Sequence, residues 1–594
     1  MFTKTFKILS VCLTLSVTIF SQSNNPVKII QNWEVLTSYQ GPIISRDNVI
    51  GTISNQDKLP PVTYESNTIS FVTTELNINA RTVYDLQSNG CIRYIWQCPT
   101  NFLQMYAIFT HSSDPASWPD RNVRAFYTSN SGTTWDYLGA VSTSRAGFGF
   151  LTGRNDCRGV VFCHTANAPS GDVQTQMFTD LAPGAGTWTA CALGIIGSEI
   201  PIWPNGVVTQ NNYALVVSSV NATQGQVYRN VTTNSGCTFS GWVPILNAVN
   251  ANSYSTASSG NTLGVTYLTS GGGINYVQST DNGITWSSPV VIRNYNPADS
   301  TGTLRSIDMV FQNGQPKVFF GVCKVLPVAG SFFPNAPSFV YIWSPNINGG
   351  NPVLVDSSQG LRGRGEVDVF TSVCRGTIGT STNGVALYAA WNRARLSDTS
   401  ANGIHFFDVW FALSTNDGAT WTSKTRLTNI SGPLKDNRWV SISPTNNGGG
   451  TTYFVYLVHQ QDSIPGTYVN MQPVHTSYMM HTKITVLNVQ EPGIKQIGTE
   501  IPKQYSLEQN YPNPFNPKTI IRFDVTSNVK SQTSNVKLVV YDALGKEIAV
   551  LVNEQLQPGT YEVDFDGSNF ASGLYYYKLI AGDFTETKKM VLIK

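Results

Sequence analysis

The sequence predicts an all-β chain: a β-propeller of seven four-stranded blades, with six as the alternative, followed by a small β-sandwich. Three observations carry this. One octapeptide recurs at spacings near multiples of a blade, short apolar runs alternate with Gly, Asn and Asp, and the sequence changes character after about residue 490.

The octapeptide reads STDNGITW at 279–286 and returns as TSNSGTTW at 128–135, TTNSGCTF at 232–239 and STNDGATW at 414–421. Its glycines, Gly132, Gly236, Gly283 and Gly418, are spaced by 104, 47 and 135 residues. These steps are near two, one and three lengths of roughly 45 to 52 residues, the size of a four-stranded blade. A weaker copy, GAGTWTA with Trp188, falls in the first gap. The residue types are those a tight turn demands. An Asp or Asn at the third position (Asn130, Asn234, Asp281, Asn416) satisfies turn amides, the Gly takes a positive φ, and the closing aromatic (Trp135, Phe239, Trp286, Trp421) packs between sheets.

Strand-like runs fill the units in order. CIRYIWQC, QMYAIFTH, VRAFYTS and WDYLGAV make the first, and FGFLTG, GVVFCHT, VQTQMFT and TWTACAL the second. The segments from PIWPNGVVT to WVPIL, YSTASS to PVVIR, LRSIDMVF to PVLVD and VDVFTSVC to KTRLT continue the series. The last stretch, WVSISP, TTYFVYLVH and HTSYMMHTKITV, supplies only three strands, and TISFVTTEL at 68–76 is available as the fourth. Borrowing it would close the ring and remove two exposed edges. The expected boundaries are a signal peptide at 1–22, an extension at 23–67, the propeller at 68–490, a linker at 491–504 and a C-terminal sandwich at 505–594.

Lys4 and Lys7 precede an apolar run from Ile8 to Phe20, the anatomy of a secretory signal. Leu9, Ser10 and Val11 before Cys12 only faintly resemble a lipoprotein site, since Val is large and the apolar run continues past the cysteine. Beyond the signal no segment is apolar for long enough to cross a bilayer as a helix. Charged residues are 12% of 594 and the net charge is +2, which gives no electrostatic footprint for nucleic acid. Eight cysteines follow the signal, and Cys91 with Cys98 or Cys157 with Cys163 are near enough in sequence to pair, buried thiols being the alternative.

The octapeptide resembles the Asp-box, or BNR repeat, of sialidases and other secreted propellers. That resemblance implies outer hairpins between third and fourth strands, away from any central site. The C-terminal segment SLEQNYPNPFNP, YDALGKEIAVLVNE, PGTYEVDFD, ASGLYYYKL and KKMVLIK resembles the sorting domain of the type IX secretion system, an Ig-like sandwich. It implies export to the cell surface or medium and the secretion machinery as a partner. A sialidase would need an arginine triad, a Tyr nucleophile with its Glu, and an Asp acid/base. The family's Arg-Ile-Pro signature is absent, so the triad is not assignable.

His spacing shows no metal motif, and neither a GxSxG motif nor a phosphate-binding loop occurs, so no metal or cofactor is expected. A ligand site is expected where first strands converge. Those segments carry Trp96, Trp203, Arg305, Asp308, Glu366, Asp368, Arg438 and Trp439. Aromatic faces beside charged hydrogen-bonding groups suit an extracellular glycan, and a pair among Asp308, Glu366 and Asp368 would be the acid and base if the protein were a glycoside hydrolase or lyase. The alternative for each is packing between blades or charge pairing across the channel.

Overall fold

The computed structural model describes residues 28–29 and 68–594 apart from 85–86, 88–92, 116–117, 167–172, 198–199, 221–224, 233, 235, 270, 304–305, 327–330, 364–369, 450–451, 468–472, 488–493, 499–500, 527–533 and 568–569. The expected signal peptide lies outside the described residues, as does the extension at 23–67 except for Lys28–Ile29, which pairs in parallel with Ser331–Phe332. The chain divides into two compact units, Met1–Val489 and Gln490–Lys594.

In the first unit the described strands form antiparallel meanders of four that follow one another along the chain. The first is Ile95–Gln97, Met105–His111, Asn122–Thr128 and Asp136–Ala140; the second is Ala146–Gly153, Gly159–Ala166, Val173–Asp180 and Trp188–Ala192. The next two share a single long strand, Val243–Ser259. It is the outermost partner of Pro201–Val208, Ala214–Val220 and Gly225–Val231, and the innermost partner of Thr262–Thr269, Ile274–Ser279 and Val290–Arg293. Then come Ile307–Gln312, Gln315–Leu326, Ser338–Trp343 and Val353–Ser358, and after them Val373–Ser381, Leu387–Thr399, His405–Ser414 and Thr425–Arg426.

The final meander, Asp436–Ile442, Thr452–Asp462 and Tyr478–Leu487, takes its fourth strand from the other end of the unit. Thr68–Glu75 runs antiparallel to Tyr478–Leu487, with Thr68 opposite Leu487 and Glu75 opposite Met480.

Each innermost strand touches the next. Ile95–Gln97 lies against Ala146–Gly153, and the contacts pass through Pro201–Val208, Val243–Ser259, Ile307–Gln312 and Val373–Ser381 to Asp436–Ile442, which returns to Ile95–Gln97. This closed circuit makes the unit all-β and propeller-like. Burial follows the radius. Every residue of Ile307–Gln312 and Asp436–Ile442 is buried, because sheets cover both faces, whereas Thr68–Glu75 at the rim alternates between exposed and half-buried. Close approach between sheets needs small residues: a Cβ on Gly153 would lie 2.4 Å from the Trp96 ring.

The octapeptides are the hairpins between third and fourth strands. In STDNGITW the Ser279 hydroxyl donates to Asp281 at 2.7 Å and accepts from the Gly283 amide at 2.8 Å. Asp281 also accepts the Thr285 amide at 2.9 Å and its hydroxyl at 2.6 Å, while Gly283 sits at φ +86 and the Trp286 indole donates to its carbonyl. Asn130 and Asn416 repeat the pattern, accepting the amides of Thr134 at 3.0 Å and Thr420 at 2.9 Å. Asn234 accepts from Gly236 at 2.9 Å.

The disulfides join Cys98 to Cys157 and Cys191 to Cys237. Nearness in sequence, which suggested Cys157 with Cys163, is the wrong guide here. Stacked repeats bring residues 59 and 46 positions apart side by side, while Cys163 is a buried free thiol inside its strand. Cys91 lies outside the described residues.

The second unit holds two four-stranded sheets. One orders Ile494–Gly498, Gly559–Asp566, Lys518–Val525 and Ser506–Leu507; the other orders Glu547–Leu556, Ser534–Asp542, Gly573–Ala581 and Phe584–Leu592. Ile521, Phe523 and Val563 from the first share one core with Val536, Leu538 and Leu579 from the second. The segment expected as a linker at 491–504 instead contributes Ile494–Gly498, which covers the edge of Gly559–Asp566.

Candidate functional site

Where the innermost strands converge there is a cavity of about 450 Å3. Its wall comes from Trp96, from Thr152 and Gly153, from Thr256 and Ser258, and from Met309 to Phe311, with Asn155 and Gln210 from following loops. The lining is mixed: the Trp96 indole stands with apolar side chains such as Phe150, Val207 and Phe311 and with hydroxyl and amide groups, and Arg93 is its charged member.

Arg93 stands immediately before the first innermost strand and is held by Asp308, which belongs to Ile307–Gln312 on a distant part of the circuit. Its Nε and Nη2 donate to Asp308 Oδ1 at 3.1 and 2.8 Å, with the two side chains 3% and 1% exposed. The same oxygen accepts the Ser255 hydroxyl at 3.1 Å and the Met309 amide at 2.8 Å. The other oxygen accepts the Thr377 hydroxyl at 3.0 Å and the Ile378 amide at 2.9 Å. One carboxylate thus ties together four innermost strands. Its lone pairs are filled, so Asp308 is a structural hub and is withdrawn as a candidate acid or base.

The other sequence candidates separate. Trp96 reaches the cavity wall. Arg305, Glu366 and Asp368 lie outside the described residues. Trp203 and Trp439 are not part of that cavity wall. Each occupies a bulge in its innermost strand, at φ +59 and +58, where the pairing shifts between Ile202 and Asn205 and between Arg438 and Ser441. A bulge breaks the in-out alternation and re-aims the side chain. Trp203 packs on Phe148 at 5.0 Å and His164 at 5.5 Å; Trp439 packs on Phe370 at 5.0 Å beneath Arg375. Arg438 is buried over the rings of Phe370 and Phe407, at 4.4 and 4.7 Å, and bonds Asp436. All three side chains are thus engaged in ring and cation contacts rather than in the wall of that cavity.

Arg93 is the residue sequence reasoning missed. It lies in CIRYIWQC, two positions before Ile95, and its partner 215 residues away leaves no local signal. Among the described residues no group of three or more His, Cys, Asp or Glu side chains is arranged to hold a metal ion, and no helix is long and apolar enough to cross a membrane.

Residues 509–594 match the family described as the secretion system C-terminal sorting domain. The C-terminal segment is a sorting domain. The protein is accordingly secreted or displayed at the outer surface, and its sorting domain is the part that engages the secretion machinery. No curated protein matches the chain. Among solved structures it is similar to a PL25 ulvan lyase bound to a glucuronate–sulfated rhamnose fragment, at TM-score 0.41 and 10% identity, covering 67% of this chain and 95% of that one. A protein of unknown function from Dyadobacter fermentans gives TM-score 0.37 and 11% identity, with 70% and 99% covered. A NanB sialidase variant from Streptococcus pneumoniae gives 0.33 and 9%, with 59% and 70% covered.

Proposed function

We propose that the first unit is a seven-bladed, Asp-box-type β-propeller that binds an extracellular glycan or another surface partner without catalysis, exported by an Ig-like type IX sorting domain. The observation that carries this is the cavity wall, in which an indole and other apolar side chains stand beside hydroxyl and amide groups while the nearby carboxylate, Asp308, is saturated. Such a lining recognises sugar hydroxyls and ring faces and supplies no acid/base pair. The closed circuit of innermost strands and the four octapeptide hairpins support the blade count and the Asp-box reading. A hydrolase or lyase reading would rest on Glu366 and Asp368.

The test is a glycan-array and polysaccharide-digestion screen of the mature chain. Binding without new reducing or unsaturated ends is the expected result, and turnover of any glycan overturns the non-catalytic reading. Gln210→Ala, at the exposed edge of the cavity, should weaken binding by about fivefold, the loss of one hydrogen bond. Unchanged affinity moves the site elsewhere.

A further inference from the structure

Where the first three meanders meet, near the bulges of the second and third innermost strands, two arginines and a histidine stand together with no carboxylate paired to them among the described residues. Arg121 is 3% exposed and spends its Nε on the Ala146 carbonyl at 3.2 Å. Its guanidinium lies 5.2 Å from the centre of the Phe148 ring and 5.8 Å from that of Tyr84. Gly147 leaves the room for it, since a Cβ there would stand 2.9 Å from Arg121 Nε.

Arg145 is half-buried, carries the group toward the surface and uses its Nε on the Trp118 carbonyl at 3.1 Å. His164 is 4% exposed, and neither ring nitrogen has a hydrogen-bond partner. Its ring sits edge-on to Phe148 at 4.9 Å and 5.5 Å from Trp203. Burial and the nearby charges of Arg121 and Arg145 hold this imidazole far below its usual range, so it is neutral.

Neither arginine is ion-paired among the described residues. Asp120, next to Arg121 in sequence, is turned away and receives the Ser113 amide at 2.8 Å together with the hydroxyls of Ser112 and Ser113. Two neighbouring guanidinium groups with no ion pair among the described residues stand beside a buried imidazole whose two nitrogens are unpartnered, an arrangement that leaves positive charge unmatched. An anion that accepts from the guanidinium groups supplies that match, and the guanidinium fork fits a planar or tetrahedral oxyanion.

We propose that Arg121, Arg145 and His164 form an oxyanion site that takes a carboxylate or sulfate ester carried on an acidic glycan, with the Phe148 and Trp203 rings flanking the bound group. The glycan as carrier rests on the reading above; the oxyanion itself does not.

The test uses the mature full chain and calorimetric titration with matched probes: an oligoglucuronate against its carboxyl-reduced form, and a sulfated galactan against its desulfated form. The expected result is that at least one acidic probe binds tenfold or more tightly than its neutral match. Arg145→Gln should reduce that preference to about twofold without shifting the melting temperature, and Arg145→Lys should recover part of it. A preference confined to the uronate pair assigns a carboxylate, and one confined to the galactan pair assigns a sulfate. Acidic and neutral forms bound equally, or a preference that survives Arg145→Gln, overturns the site while leaving the glycan reading intact. If neither glycan pair binds but inorganic sulfate raises the melting temperature of the wild type and not of Arg145→Gln, the oxyanion site stands and the glycan reading falls. No binding and no sulfate effect overturns the site.

Discussion

The Arg93 guanidinium and the Asp308 carboxylate are 215 positions apart in the chain and 2.8 Å apart in the fold. Removing one partner strands the other in a buried site, so Arg93→Met and Asp308→Asn should each cost about 3–5 kcal/mol. The double variant Arg93→Met/Asp308→Asn should lose less than the sum of the two. All 13 tryptophans lie in the first unit, so denaturant unfolding followed by tryptophan fluorescence reads that unit alone. Additive single-variant losses would mean that the two side chains are not coupled.

Asp281 is a second place where charge and backbone are matched. The Thr285 hydroxyl and amide and the Ser279 hydroxyl hold its carboxyl at about 2 against an ordinary 3.8. A depressed folded-state value means that ionised Asp281 stabilises the turn above its unfolded value, and that this contribution is lost as pH falls toward the folded one. Asp281→Ala should therefore lower the melting temperature at neutral pH, with the gap to wild type narrowing as the pH falls from 3.8 toward 2. Asp281→Asn should be milder, since Asn130 and Asn416 hold the equivalent turns through a side-chain carbonyl. A gap independent of pH would remove the carboxylate from the account.

The two disulfides close loops of 59 and 46 residues. Chain entropy then gives each about 2–4 kcal/mol of stabilisation. Peptide mapping of the exported protein without reductant should recover Cys98 with Cys157 and Cys191 with Cys237. Replacing either pair with serine should lower the denaturant midpoint. Recovery of Cys157 with Cys163 would contradict the stacking of the first two meanders.

Export can be tested directly. Deleting residues 505–594 removes the whole matched sorting domain and should leave the protein in the periplasm, as read by cell fractionation and immunoblotting. Surface or medium localisation of the truncated chain would take the export function away from that segment.

Much of the fold is legible because it is written locally. STDNGITW and its relatives are turns whose chemistry is complete within eight residues, and their spacing carries the repeat. The closing strand is legible by arithmetic, because WVSISP onward is one strand short and TISFVTTEL is left over. The site is less legible because its determinants are not local. Arg93 finds Asp308 across the circuit, and the disulfide partners are neighbours only after the sheets stack. Trp203 and Trp439 lie in first strands, where a ligand site is expected, but each sits at a one-residue bulge that leaves no mark in the sequence. Arg121 and Arg145 fall in turn-like sequence between strands, where arginine is ordinary and only their lack of an ion pair among the described residues is informative.

The pairing of Thr68 with Leu487 also sets an order of events in biosynthesis. A chain delivered N-terminus first presents the Thr68–Glu75 strand hundreds of residues before Tyr478–Leu487 arrives. Until then the emerging polypeptide is an unfinished spiral with two open hydrogen-bonding margins, each a template for wrong association. The last strand of the first unit to be made is the one that seals it, so completion of the ring is deferred until that whole unit has been synthesised, and a chain cut short before Leu487 would keep an unsealed seam.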